Sequence, residues 1–100
     1  MTYTRFNPTT KSELTVDTVA LTIGSTAKNG NATVTKSAAK TGYTPLGIVG
    51  FDMDSGTRQN WLNIWTLNLS GSTITAKVLN FHASDSASAT LTVYVLYAKG

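Results

Sequence analysis

The chain has no cysteine, one histidine, one glutamate and two prolines. Without cysteine there is neither a disulfide framework nor a thiolate metal site. A lone His82 with few carboxylates excludes an ordinary histidine-rich zinc site. Charge is also scarce: 13% of residues are charged and the net charge is +3. The lysines, Lys11, Lys28, Lys36, Lys40, Lys77 and Lys99, are scattered, so the basic patch of a nucleic-acid binder is missing. No apolar run approaches the length that spans a bilayer, which argues against membrane insertion. The opening "MTYTRFNPTTKSELTV" lacks the basic start and continuous apolar stretch of a signal peptide. The chain therefore reads as made in the cytoplasm, with no export signal of its own and no cofactor.

Threonine and serine fill more than a quarter of the positions, and valine, leucine and isoleucine are plentiful. β-Branched side chains sit easily on a pleated surface, and long charged helix-formers are nearly absent, so strands are favoured over helices. At 100 residues the chain has room for one core. A domain of that size buries roughly two-thirds of its unfolded surface and gains from association.

Periodicity locates the strands. Over 90–97, Leu91, Val93, Val95 and Tyr97 alternate with Thr90, Thr92, Tyr94 and Leu96, a period of two. Over 73–81, Ile74, Ala76 and Val78 form a core-facing set, opposite Leu79 and Phe81. A strand over about 61–69 precedes it across Ser70-Gly71-Ser72, which predicts a hairpin. "LTVDTVALTI" carries Val19, Leu21 and Ile23 in alternation, "NATVTKS" carries Ala32 and Val34, and the intervening Asn29-Gly30 predicts a second hairpin. The run Leu46 to Phe51 reads as a buried strand started by Pro45. Six or more strands indicate an all-β antiparallel sandwich, jelly-roll-like, over 14–100, with 1–13 as an arm or linker remnant.

Chemistry-bearing patterns are few. A Ser-His-Asp triad needs Asp17, Asp52, Asp54 or Asp85 brought to His82 by folding, and a loop histidine is the ordinary alternative. "DMDSG" echoes the opening of a calcium loop, but Ser55 shifts its register and no closing glutamate follows, so Asp52 and Asp54 fit a strand-end turn better. Gly47 and Gly50 match no phosphate-loop spacing and read as close packing or a strand bulge. Trp61, Asn63 and Trp65, at alternate positions of one strand, make a candidate sugar platform; Leu67 and Leu69 on the same face offer burial as the alternative. Leu79, Phe81, Tyr94 and Leu96 would form an apolar second face on the two clearest strands, a candidate oligomer interface.

The order "KSAAKTGYTPLGIVGF", "NIWTLNLSGSTITAKVLN" and "ATLTVYVLYAK" resembles the C-terminal domains of tail-fibre and minor structural proteins from phages and prophages of Gram-positive gut bacteria. The resemblance covers about 19–99 and rests on the paired Y-x-P-L-G-I-V-G and L-S-G-x-T patterns, which mark a structural module and no reaction. It implies a small β-domain at a virion tail tip, commonly trimeric, that contacts the host surface, with a surface glycan as a possible ligand. The expectation is a non-enzymatic receptor-binding-type module. A bacterial carbohydrate-binding or adhesion module is the alternative.

Overall fold

The structure, a computed structural model, describes residues 14–54, 56–82 and 84–100. The arm expected over 1–13 lies outside the described residues. Six strands follow in order: β1 Leu14–Thr26, β2 Asn31–Ser37, β3 Tyr43–Asp54, β4 Leu62–Ser70, β5 Thr73–Asn80 and β6 Ala87–Lys99, with one 3-10 turn at Gln59–Trp61. They form two three-stranded sheets, β1-β6-β3 and β2-β5-β4, in which every pairing is antiparallel. The protein is an all-β sandwich.

The centre strands build the core. Ala87, Ala89, Leu91, Val93, Val95 and Tyr97 of β6 are all buried, and Ile74, Ala76 and Val78 of β5 are fully enclosed. Alternation sends these residues to one face of each sheet, and the two faces meet. Leu21 and Ile23 from β1, Leu62 from β4 and Ala38 after β2 complete the buried hydrophobic set. Burial of each large aliphatic side chain stabilises the fold by about 1.5–3 kcal/mol.

Asn29 does reverse the chain, with φ of 55° and the Gly30 amide donating to Ala27 O at 2.8 Å. The predicted hairpin does not form, however, because β1 pairs with β6 and β2 with β5. The turn carries the chain from one sheet to the other. The β4–β5 hairpin is present, with Ser70 opposite Thr73 and Gly71 at φ of 61°. Positive φ at the first central residue alone is the pattern of a type II′ turn.

β3 departs from the buried strand expected over Leu46 to Phe51. It is an edge strand with register shifts at Pro45/Gly47 and Ile48/Gly50. Leu46, Val49 and Phe51 are about half exposed. Each bulge sets two residues against one, so Ile48 stays opposite buried Val95 while Gly47 and Gly50 face Leu96 and Tyr94. The strand is bulged, with Leu46 and Val49 as the extra residues and each followed by a paired glycine. Pro45 is accommodated because an edge strand leaves one side of its ladder unpaired.

Two polar ties close the ends. At the end where β5 stops, Asn80 is fully buried. Its amide nitrogen donates to Thr26 O at 3.1 Å and Asp85 O at 2.9 Å, and its oxygen accepts from the His82 amide at 3.0 Å. At the opposite end the Tyr97 hydroxyl donates to Ala38 O at 2.7 Å. There Lys40 pairs with Asp17 at 3.0 Å and lies over the Tyr43 and Tyr97 rings. The hydrogen bond to Lys40 holds the Asp17 carboxyl below its usual range, and the reciprocal bond raises Lys40. Burial, with a smaller contribution from the Asp17 charge, raises the Tyr97 hydroxyl.

Asn80→Ala leaves three backbone groups, one buried and two part-buried, without their partner and is expected to cost about 3 kcal/mol in urea unfolding; a loss under about 1 kcal/mol would refute the tie. The raised Tyr97 and Lys40 values act in one direction: their stabilisation is complete below the unfolded pKa and disappears as pH rises through the folded one. Stability should therefore fall above pH of about 10. Tyr97→Phe, measured across that range, should lose about 1–2 kcal/mol at neutral pH and show a shallower alkaline decline.

Candidate functional site

The described residues of three loops, 27–30, 56–61 and 81–82 with 84–86, gather at the end of the sandwich where β1, β3 and β5 finish. The other end holds the 38–42 connection, the Gly71 turn, the start of β1 and the end of β6. Hydrogen bonds knit the loop end together. Asn29 N donates to His82 O at 3.1 Å, Asn80 N to Gly30 O at 2.9 Å, Phe81 N to Trp61 O at 3.3 Å and Ser88 N to Thr57 O at 2.9 Å. Gly56 packs so closely on β6 that a β-carbon there would overlap Ser88 O and the Ala89 Cα.

Trp61 belongs to this rim. It ends the 3-10 turn instead of starting β4, and its indole stacks on the His82 imidazole at 3.6 Å between centroids with 7° between planes. The Arg58 guanidinium lies 5.4 Å from the Trp61 ring, donates from Nε to Ser86 O at 2.8 Å and reaches Asp85 at 3.6 Å. Arg58 adopts a left-handed backbone, φ 55°, which aims the side chain across the loops.

Asn63 and Trp65 occupy a different surface. A register shift between Ile64 and Thr66 makes Trp65 the bulged residue of β4. Alternation is thereby reset: Leu62, Ile64, Leu67 and Leu69 line up with the inward β5 residues Asn80, Val78, Ala76 and Ile74, while Asn63, Thr66 and Asn68 line up with Leu79, Lys77 and Thr75. Leu67 and Leu69 thus do not share a face with Asn63. Trp65 is 56% exposed, with the Lys77 Nζ 5.3 Å from its ring centroid. The expected single platform of Trp61, Asn63 and Trp65 is divided, Trp61 to the rim and the other two to the outer sheet face. A bulge was the signal to seek, since the alternation of "WLNIWTLNL" places leucines on both faces unless one residue is inserted.

The apolar quartet is divided too. Because β5 and β6 are the centres of different sheets, Leu79 and Tyr94/Leu96 point to opposite sides of the molecule. Phe81 follows β5 and is 56% exposed. On the outer face of the β1-β6-β3 sheet, Leu96 lies between Val16 and Gly47, and Tyr94 between Thr18 and Gly50. Leu14, Val16, Leu46 and Val49 are exposed on the same two outer strands.

The acidic residues find separate partners. Asp52 lies within β3 and not in a turn, where it accepts from the Tyr94 hydroxyl at 2.9 Å. The side chain of Asp54 and all of Ser55 are outside the described residues. No group of three or more metal-ligating side chains occurs among the described residues. His82 Nδ1 lies 2.8 Å from Ser84 Oγ and accepts from the Ser84 amide at 3.3 Å, a local loop contact. Among the described residues, no hydrogen bond or ion pair joins His82 to a carboxylate.

Two tryptophans four residues apart should therefore respond differently to removal. Trp61→Ala strips a half-buried stacked ring and is expected to lower stability by about 2 kcal/mol, whereas Trp65→Ala should stay within about 0.5 kcal/mol. Denaturant midpoints and the His82 ring-proton shift, which the stacked indole perturbs, would check both; equal losses would refute the separation. Comparison with protein-family models, curated proteins and solved structures finds no match.

Proposed function

We propose that the protein is a non-enzymatic, phage-type virion structural module, a tail-fibre or receptor-binding tip that meets the host cell surface. The observation that carries this reading is the division of the sandwich into two ends. The chain enters at Leu14 and β6 leaves at Lys99 beside one another, while the aromatic rim of Trp61, His82 and Phe81 sits at the opposite end. A module joined to a larger assembly at the first end would present the second outward. Loops carried on a rigid β scaffold are suited to contact. The engagement of Asp17, Asp52 and Asp85 by Lys40, Tyr94 and Arg58 supports a non-enzymatic role.

The two outer faces favour homo-oligomerisation, with a trimer as the assembly. The β1-β6-β3 face presents Leu14, Val16 and Leu96, and the β2-β5-β4 face presents Asn, Thr and Ser in most positions. Around a symmetry axis the apolar face would turn inward and the polar one outward. Of the four expected interface residues, Tyr94 and Leu96 fit this arrangement and Leu79 and Phe81 do not.

Fluorescently labelled protein should be retained on a subset of Gram-positive gut bacteria and sediment as a trimer. Leu96→Lys should shift it to monomer without unfolding it. A monodisperse wild-type monomer at high concentration would remove the trimer, and no retention on any strain of a broad panel would remove the host-surface role.

A further inference from the structure

The outer face of the β2-β5-β4 sheet combines features that the rim and the other sheet lack. Inward burial of Ile74, Ala76, Val78 and Asn80 sends Thr73, Thr75, Lys77 and Leu79 outward, and antiparallel pairing sets their neighbours on the same side. The resulting rows are Asn31–Leu79–Asn63, Thr33–Lys77–Thr66, Thr35–Thr75–Asn68 and Ser37–Thr73–Ser70. The described carboxylates belong elsewhere: Asp17 on β1, Asp52 on β3, Asp85 in the loop before β6. The surface is broad, uncharged apart from Lys77, and rich in hydroxyl and amide groups.

Trp65 is the anomaly on it. An aromatic ring suits a strand, but an indole this exposed adds little to the core. Alternation from Asn63 and Ile64 puts the ring on the outer face, where Lys77, the outward residue of the adjacent centre strand, contacts it. A cation against one ring face holds the indole down on the sheet. With 56% of the residue still accessible, ring surface remains open to solvent. A flat aromatic surface bordered by amides and hydroxyls is the chemistry that receives a sugar ring: the apolar C–H face of a pyranose stacks on the indole while its hydroxyls exchange hydrogen bonds at the edge. Asn63 and Asn68 lie on either side of Trp65 in rows four apart along β5, a separation of roughly 13 Å. That span exceeds one sugar ring and suits a chain.

We infer that this sheet face is a glycan-binding platform, in which Trp65 stacks a pyranose ring, Asn63 and Asn68 hydrogen-bond the residues on either side of it, and Lys77 favours polysaccharides carrying carboxylate or phosphate groups. The inference rests on the host-surface reading above and gives it a ligand class and a place. It moves the contact from the rim to the flank of the sandwich.

The experiment is a glycan array of matched neutral and acidic bacterial-surface polysaccharides, read with labelled wild type, Trp65→Ala, Asn63→Ala/Asn68→Ala, Lys77→Gln and, at the rim, Phe81→Ser. Circular dichroism and the unfolding midpoint confirm that each variant is folded. Wild type should prefer acidic chains. Trp65→Ala should weaken binding about tenfold or more. The double asparagine variant should also weaken it, Lys77→Gln should abolish the preference for acidic chains while retaining neutral ones, and Phe81→Ser should bind as wild type. Undiminished binding by Trp65→Ala, or loss confined to Phe81→Ser, overturns the platform. Wild type that is retained on cells yet binds no glycan overturns the platform and leaves the host-surface reading standing; absence of both overturns the two together.

Discussion

The inner face of β6 is the surface on which the other strands are laid. Six alternate residues from Ala87 to Tyr97 are buried without interruption, which a strand achieves only with a neighbour on each side and a second sheet across from it. β1 supplies one neighbour in unbroken register from Leu14 to Ile23. β3 supplies the other, but its sequence, "YTPLGIVGFDMD", has apolar residues at a spacing of three in Pro45, Ile48 and Phe51. A period of three cannot follow a period of two along a ladder, and the two bulges absorb the mismatch. The edge strand yields to the centre strand because β6 forfeits a buried row for every slip, whereas β3 forfeits only a hydrogen-bonded step.

The same principle explains what the sequence revealed and what it hid. Alternation in β5 and β6 is clean, so their inner residues are readable as core and their places as strands follow. Asn29-Gly30 announces a reversal of the chain, but a turn reports local φ, not which strand the chain will pair with afterwards. β1 and β2 separate into different sheets because each pairs within its sheet with a different centre strand, β6 and β5, a choice made by contacts distant in sequence. Trp61 and Trp65 look equivalent when parity is counted from residue to residue. One inserted residue at Trp65 inverts the count for the remainder of β4, and a 3-10 turn takes Trp61 out of the strand altogether. The polar identities along β4 carried the information all the same: once the bulge is admitted, every leucine and isoleucine of the strand falls inward and Asn63, Thr66 and Asn68 fall outward.

The ends of the sandwich required a different solution. A sheet face can be sealed with apolar side chains, but a loop crossing between sheets exposes backbone groups that must find partners when they are covered. Asn80 satisfies three of them from one buried amide, joining the end of β1 with the 81–86 loop. At the other end Ala38 is held from both sides, its amide donating to Ser72 O at 2.7 Å and its carbonyl accepting from Tyr97. These ties use little sequence, one asparagine and one tyrosine, and neither is distinguishable from its neighbours by composition. Their effect is to make both loop clusters rigid attachments of the core.

With the ends tied by these hydrogen bonds and the register set by the core, the two outer sheet faces remain. They differ in chemistry: one carries an apolar patch of Leu14, Val16 and Leu96 at one end and passes to Thr18, Thr22, Thr90 and Thr92 along its length, and the other is mostly hydroxyl and amide, broken by Lys77, Leu79 and one tryptophan. A free-standing sandwich gains nothing from such a division, since both faces would meet the same water. The apolar side is costly to hydrate, and the polar side carries an indole that does not serve the core. Each is accounted for if the first meets a copy of the protein and the second meets a ligand. In that arrangement the bulge reconciles two demands on one strand: alternation already sends the Trp65 ring outward, and the inserted residue returns Leu67 and Leu69 to the core.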